Sequence, residues 1–209
     1  MALFSDRKDA AEKLSTELMS YKGSSPLVIA IPRGAVPMGE VIAKRLSGEL
    51  DIVLVRKIGA PENPEFAIGS VDESGWTHLS EENGVSPAYI TAERNRQFAI
   101  IKERRRLYTP FSKPIDPSGR IVIVVDDGLA TGATMIAALH SILASHPSRL
   151  IVAIPVAARD ALEKVRDWAD EVVCLSAPKD FGSVGQFYED FPQVTDSEVL
   201  KIMERTQKH

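Results

Sequence analysis

Apolar residues along the chain fall into two textures. Short continuous runs rich in β-branched side chains appear as PLVIAI (26–31), DIVLV (51–55), IVIVV (121–125), RLIVAIPVA (149–157) and EVVCLS (171–176). Between most of them the apolar positions recur at helical spacing, in MGEVIAKRL, GATMIAALHSILA and ARDALEKVRDWA. A strand that is apolar on consecutive residues must be covered on both faces, and helices lying between such strands supply the cover. The pattern predicts an α/β fold, a doubly wound and mainly parallel sheet. One more amphipathic helix is predicted ahead of the first strand, from Asp6 to Tyr21. It places Ala10, Leu14, Leu18 and Tyr21 on one face and has Ser5 or Asp6 as N-cap.

Two regions break the repeat. Between Arg56 and Gly119 the chain is rich in Gly and Pro and carries the alternating stretches FAIGSV and WTHL, which predict a hairpin on a long excursion. The excursion enters SPAYITAERNRQFAIIKERRRLY, a predicted helix with Ile90, Phe98, Ile101 and Leu107 available for packing. After Cys174 the tail SAPKDFGSVGQFYEDFPQV is aromatic and irregular, and a closing helix is predicted from about Asp196 to Arg205. The organisation expected is one domain over 1–209, with a core at about 1–58 and 119–176, an insertion at about 59–118 and a small C-terminal hood at about 177–209.

Composition narrows the classes. A chain of 209 residues, 44% hydrophobic, suits one compact core better than two. A formal charge of -4 disfavours nucleic-acid binding through bulk electrostatics. Six basic residues stand against one acid between Arg94 and Arg106, including Arg104, Arg105 and Arg106, and are expected to be solvated or ion-paired. The single Cys174 excludes an intrachain disulfide and reads as a buried strand residue. His78, His140, His146 and His209 show no metal spacing. With no signal-like start and no membrane-length apolar run, the expected location is the cytoplasm.

The candidate chemistry lies where IVIVV runs into DDGLATGAT. In doubly wound sheets ligands collect at the carboxyl ends of strands, here at Asp126, Asp127 and the turn through Thr131, Gly132 and Thr134. A helix starting near Gly132 offers unpaired amides and a positive dipole end to a phosphate. No Walker A pattern exists, since GLATGAT lacks its lysine, and no G-x-G-x-x-G follows a strand. Two acids beside a phosphate cup suit a ligand whose phosphate stands apart from hydroxyls able to donate to carboxylate, as in a ribose 5-phosphate. Taken alone, the acid pair reads first as an acidic turn with a helix cap; the whole stretch shifts the balance to ligand binding.

VVDDGLATGAT resembles the phosphoribosyl pyrophosphate (PRPP) motif of type I phosphoribosyltransferases. The segments FSDRKDAAEKL, IPRGAVPMG, KIGAPENPEFAIGSV and FGSVGQFYEDFPQVTDSEV resemble a bacterial branch of that family with an undefined base substrate. The resemblance implies a transferase that joins a nitrogenous, purine-like base to the ribose phosphate of PRPP with Mg2+ and releases pyrophosphate. It implies ribose-binding acids at Asp126 and Asp127, a 5-phosphate loop at Ala130, Thr131, Gly132, Ala133 and Thr134, and a pyrophosphate loop at Pro32, Arg33, Gly34 and Ala35 with a cis Pro32–Arg33 peptide. Mg2+ would be held mainly by substrate and water near the two aspartates. A lid over PRPP is expected around Gly59, Pro61 and Pro64, with Glu62 and Glu65 as weaker contacts. Lys57, expected to end the second strand, is either a pyrophosphate contact or a structural charge.

Hypoxanthine-guanine-type members carry an aspartate where this chain has Ala130, so the loop leaves the acceptor base unnamed. FGSVG resembles the F-x-x-V-G run of the base-recognising hood, making Phe181 either a stacking residue or an anchor, with Val184 beside it. Phe187 and Tyr188 are expected to pack, and Glu189 and Asp190 to face solvent. A homodimer is implied. The alternative on the same fold is a PRPP-sensing regulatory or RNA-binding protein.

Overall fold

The computed structural model describes residues 2–63, 66–79, 84–108 and 114–206. Five parallel strands form the main sheet: β1 (Leu27–Ala30), β2 (Glu49–Ile52), β6 (Ile121–Val125), β7 (Arg149–Val156) and β8 (Glu171–Ser176), in the order β2-β1-β6-β7-β8. Side chains alternate cleanly between its two faces. Val28, Ala30, Ile123, Val125, Ile151 and Ala153 face one apolar cluster, while Leu27, Ile29, Val122, Val124, Leu150 and Val152 face the other. Helices α1 (Arg7–Glu17), α2 (Val36–Leu46) and α6 (Asp196–Thr206) belong to the first side, and α4 (Ala133–Leu143) and α5 (Arg159–Arg166) to the second. This is the doubly wound α/β architecture that the continuous apolar runs predict.

The predicted run 51–55 is not one strand. Residues 49–52 pair with β1, whereas β3 (Val55–Gly59) pairs antiparallel with β4 (Ala67–Asp72), which pairs with β5 (Thr77–Leu79) in a separate three-stranded sheet. Carboxylates make the break. Buried Asp51 accepts from its neighbour Ile52 N at 2.7 Å and from Ile115 N at 2.6 Å, and Glu73 accepts from Leu54 N at 2.7 Å. Amides that a continuing strand would give to the sheet go to side chains instead. Hydropathy cannot show this, because Val53, Leu54 and Val55 are apolar on either side of the break.

The hairpin expected from FAIGSV and WTHL is present, and helix α3 (Pro87–Tyr108) covers one face of the small sheet. Ile101 packs as expected, but Leu107 is 42% exposed and the next residue, Tyr108, is buried in its place. Tyr108 has the better anchor, since its hydroxyl donates to Asp196 at 2.7 Å. The first helix stops at Glu17, capped at its start by Asp6, and a 3-10 turn carries the chain on to Tyr21. Cys174 is half-buried, because β8 is an edge strand. Its thiol donates to Ser176 O at 3.2 Å and is pushed up in pKa by burial, which leaves it unsuited to nucleophilic work.

Candidate functional site at the switch between β1 and β6

The strand order reverses direction at β1, so the loops leaving β1 and β6 diverge to opposite faces and open a crevice between them. Both sequence-predicted loops stand there. After β1 the chain passes through the Pro32–Arg33 peptide, which is cis as the resemblance implies, and then directly into α2. Gly34 lies so close to the acid loop that a Cβ on it would sit 2.1 Å from Asp127 Oδ2. Glycine is required by that approach. The expected pyrophosphate loop and the expected ribose-binding acid thus touch backbone to carboxylate.

The two aspartates differ in their partners. Asp127 meets the Arg7 guanidinium, with Nε at 3.0 Å and Nη2 at 2.9 Å from Oδ2. Arg7 is itself fixed three ways: by that pair, by a bond from Nη1 to Pro192 O at 2.7 Å, and by the Phe191 ring 3.7 Å from its guanidinium carbon. The Tyr188 hydroxyl donates to Asp127 O at 2.6 Å, and burial followed by the Asp127 charge pushes its pKa up, so it stays a donor. Asp126 accepts from the Asp127 amide at 2.9 Å. Burial, then the charge of Asp127, pushes Asp126 well above the ordinary carboxylate range. Burial raises Asp127 as well, while Arg7 pulls it back. Both carboxyl groups present oxygens that can accept from sugar hydroxyls, and only Asp127 is held by an arginine.

Arg7 and Tyr188 were not placed in the site by the sequence. Arg7 is one residue past the helix cap, where an exposed arginine is ordinary, and only the fold brings it 120 positions along the chain to Asp127.

Beyond the acids, Leu129 bonds across to β7 and α5 through Val156 O at 2.9 Å and Ala158 N at 2.8 Å, which anchors the turn. Ala130 and Thr131 are exposed, and Gly132 takes φ +83 as the N-cap of α4. That left-handed backbone suits glycine. The Ala133 amide donates to the Thr131 hydroxyl at a long 3.5 Å, and the first-turn amides of α4 have no partner within the helix. This turn is the candidate anion cup, with the Thr131 and Thr134 hydroxyls within the same segment.

Lys57 does not end the main-sheet strand as expected. It lies within β3, directly opposite Ser70 of β4. Directly opposed residues share a face, and Ser70 Oγ donates to Ala133 O at 2.9 Å. Lys57 therefore projects from the small sheet on the side of the α4 N-terminus. Arg33 Nη1 stands 3.6 Å from Asp196 Oδ2. In the hood, Val184 covers the acid loop so tightly that a Cβ on Gly128 would lie 2.5 Å from its Cγ1. Phe181 packs on Phe187 with ring centroids 5.3 Å apart and joins both apolar clusters, which fits its anchoring role. Phe187 and Tyr188 are buried, and Glu189 and Asp190 are exposed. Of the expected lid residues, Pro64 and Glu65 lie outside the described residues, as does His209.

The arginine run is largely consumed internally. Arg94 donates to Gly75 O, Arg96 pairs with Glu93, and Arg105 pairs with Glu73. Among the described residues no group of three or more His, Cys, Asp or Glu is placed to hold a metal ion, and no helix is long and apolar enough to cross a membrane.

Residues 2–192 match the family model for the phosphoribosyl transferase domain. A Mycobacterium tuberculosis protein named "Putative phosphoribosyl transferase", from strains CDC 1551 and H37Rv, is 35% identical over 212 residues, which covers 100% of this chain and 48% of that protein. The chain thus spans about half the length of the curated relatives it matches. The crystal structure of TT1426 from Thermus thermophilus is 42% identical, covers 98% of this chain and 99% of that one, and superposes with a TM-score of 0.83. The AQ2163 protein of Aquifex aeolicus shares the fold at 14% identity, covering 94% of this chain and 85% of that one, with a TM-score of 0.53. On the span of the domain match and the identity to its relatives, this chain belongs to the phosphoribosyl transferase domain family.

Proposed function

We propose that the protein transfers the 5-phosphoribosyl group of PRPP to a nitrogenous, purine-like base and releases pyrophosphate with the help of Mg2+. The observation that carries this reading is the contact of Gly34 with the Asp127 carboxylate at the switch point. It supports the reading by bringing the arginine-bearing loop against the acid pair that precedes the α4 turn, which in this proposal serve leaving group, ribose and 5-phosphate in that order.

In this reading Ala133, Thr134 and the Thr131 hydroxyl hold the 5-phosphate, and Asp126 and Asp127 hold the 2- and 3-hydroxyls. As the bond at C1 breaks, positive charge develops on the ribose and negative charge on the pyrophosphate. The Asp127 carboxylate, oriented by Arg7 and by the Tyr188 bond to its backbone, faces the cationic sugar, while Arg33 and the Gly34 and Ala35 backbone face the departing anion. Lys57, on β3 opposite Ser70, is either a pyrophosphate contact or a structural charge at the base of the expected lid. Asp126 is the acid left without an arginine, so the donor set fits an ion carried in by substrate oxygens and water rather than a protein cage. Mg2+ bound there supplies charge neutralisation for the leaving group. Ala130 has no proton to exchange, so the acceptor base loses its proton to solvent or to a group outside this loop. Val184 and Phe181 form the hood over the acid loop where that base would lie. A homodimer belongs to the same reading, and light scattering checks it.

The test is incubation with PRPP, Mg2+ and a panel of nucleobases, following pyrophosphate and new nucleotides by mass spectrometry. A base-dependent nucleotide with stoichiometric pyrophosphate is the expected result. PRPP binding without turnover for any base would overturn it in favour of a PRPP-sensing regulator.

A further inference from the structure

Near Arg33 the fold assembles positive charge that plays no part in the proposed transfer. Arg56 projects from β3 toward α3, and its Nε donates to Gln97 Oε1. On α3 the residues Gln97, Ile101, Arg104 and Tyr108 fall at i, i+4, i+7 and i+11, one stripe of the helix. Gln97, Ile101 and Tyr108 are buried and Arg104 is half-buried, so that stripe faces the protein. Its far end leads to the β1 loop, because the Tyr108 hydroxyl donates to Asp196 Oδ1 at 2.7 Å and Asp196 Oδ2 stands 3.6 Å from Arg33 Nη1. Arg33 thus reaches the end of this stripe through Asp196, a carboxylate already engaged by a tyrosine, and Arg56 lies within the electrostatic reach of both Arg104 and Arg33.

The other nearby acid is spent. Glu93 accepts from both Arg96 and Gln97 at 2.7 Å, and Gln97 in turn aims its carbonyl at Arg56. Among the described residues no carboxylate forms an ion pair with Arg56 or Arg104. Burial, then the charges of Arg104 and Arg96, lower the Arg56 pKa, with Arg33 adding in the same sense. The Glu93 charge opposes that shift, but Glu93 is shared with Arg96 and Gln97, and half-buried like charges with only a shared counterion are costly unless an anion joins them.

We propose that Arg56 and Arg104 complete the pyrophosphate subsite begun by Arg33, so that the insertion helix α3 holds the far phosphate of the leaving group. The inference rests on the phosphoribosyltransferase reading and deepens it. The loop after β1 would grip the phosphate next to the ribose, and the guanidiniums of Arg56 and Arg104 would take the terminal one through charge-assisted hydrogen bonds. Gln97, held by Glu93, acts as a positioning residue that keeps the Arg56 fork turned toward the site.

Binding of two probes separates the possibilities: inorganic pyrophosphate, which should fill the proposed subsite, and ribose 5-phosphate, which lacks the diphosphate. With Mg2+ present, Arg104→Ala and Arg56→Gln should each weaken pyrophosphate by about tenfold while leaving ribose 5-phosphate unchanged. Arg104→Lys should recover part of the loss, and Arg106→Ala, an exposed arginine of the same helix, should lose little. Arg104→Ala is the primary variant, since among the described residues the Arg104 side chain makes no hydrogen bond or ion pair, and the melting temperature of the variant is compared with the parent to establish that it folds. Unchanged pyrophosphate affinity in a folded Arg104→Ala protein overturns the inference, and so does an equal loss in Arg106→Ala, which would reduce the effect to long-range charge. A parent protein that binds neither probe overturns the phosphoribosyltransferase reading itself, and the inference with it.

Discussion

The main sheet that carries the acid loop and the inserted small sheet beside it are held in place by different kinds of force. The acid loop rides on β6, where Val122 to Val125 are fully buried and alternate between two apolar clusters, so its register follows from side-chain pattern alone. The insertion wall is pinned by polar contacts. Ser70 Oγ donates to Ala133 O, the buried Asp72 carboxylate stands 3.4 Å from His140 Nδ1, and the Trp76 ring stacks on His140 with centroids 3.5 Å apart. All three pins reach the same helix, α4, whose first turn is the proposed anion cup. Apolar burial is tolerant in detail but strong in sum, and it suits a scaffold; a few directed bonds are weak in sum but exact in geometry, and they set one wall against the other.

The largest effect is expected where a directed contact is also buried. Arg7→Ala leaves the Asp127 carboxylate without its cation in a site where its side chain is only 17% exposed. Breaking such a pair should cost about 3 kcal/mol of stability, read from urea unfolding, and Arg7→Lys should restore part of it. A change below about 0.5 kcal/mol would mean that the pair behaves as a surface one. Gly34→Ala comes next. Its Cβ meets Asp127 Oδ2 well inside contact distance, so either the loop or the carboxylate must shift by about 1 Å. Turnover should fall about 100-fold with a much smaller change in stability. Full activity in that variant would mean that loop and acid are not set against each other.

The same division explains what could be read from sequence. Continuous apolar runs predicted the main strands and their covering helices, because burial on two faces leaves a mark in composition. The acids and the Gly-Thr turn were legible because their chemistry is local to one stretch. The break after Ile52 was not, since it depends on Asp51 and Glu73 taking amides that lie 64 and 19 positions away in the bonds to Ile115 and from Leu54. Arg7 was missed for the same reason. A pairing across 120 positions leaves no periodicity behind, and a charged residue in the first turn of a helix looks like any solvated one. Leu107 and Tyr108 show the limit in miniature: hydropathy favours the leucine, but the hydroxyl partner at Asp196 decides which of the two is buried.

Asp126 offers a sharper probe of the scaffold side. Burial and the Asp127 charge raise its pKa in the folded chain, so folded protein binds a proton that unfolded protein has already released. Below the unfolded carboxylate pKa of about 3.9 both states are protonated and Asp126 imposes no penalty. As pH rises above that value the unfolded state ionises first, stability falls, and the loss is complete once pH passes the folded pKa. Asp126→Asn removes the titration but keeps an acceptor for the Asp127 amide. Its melting temperature should match the parent near pH 4 and exceed it increasingly toward neutrality, while turnover collapses. An advantage that does not vary with pH would show that the variant acts through packing.

The smallest effect tests the polar wall directly. Ser70→Ala removes the bond to Ala133 O, but that carbonyl lies in the first turn of α4 and keeps its helical partner, so no buried acceptor is orphaned. The cost should stay near 1 kcal/mol or below. It should also be local, because β4 pairs only within the small sheet. Amide exchange at Ile68 to Asp72 should speed up while Val122 to Val125 keep their protection, since the main sheet draws its stability from its own two clusters. If both sets of amides lost protection together, the insertion would be part of one cooperative core, and the contrast between an apolar scaffold and a pinned wall would not hold.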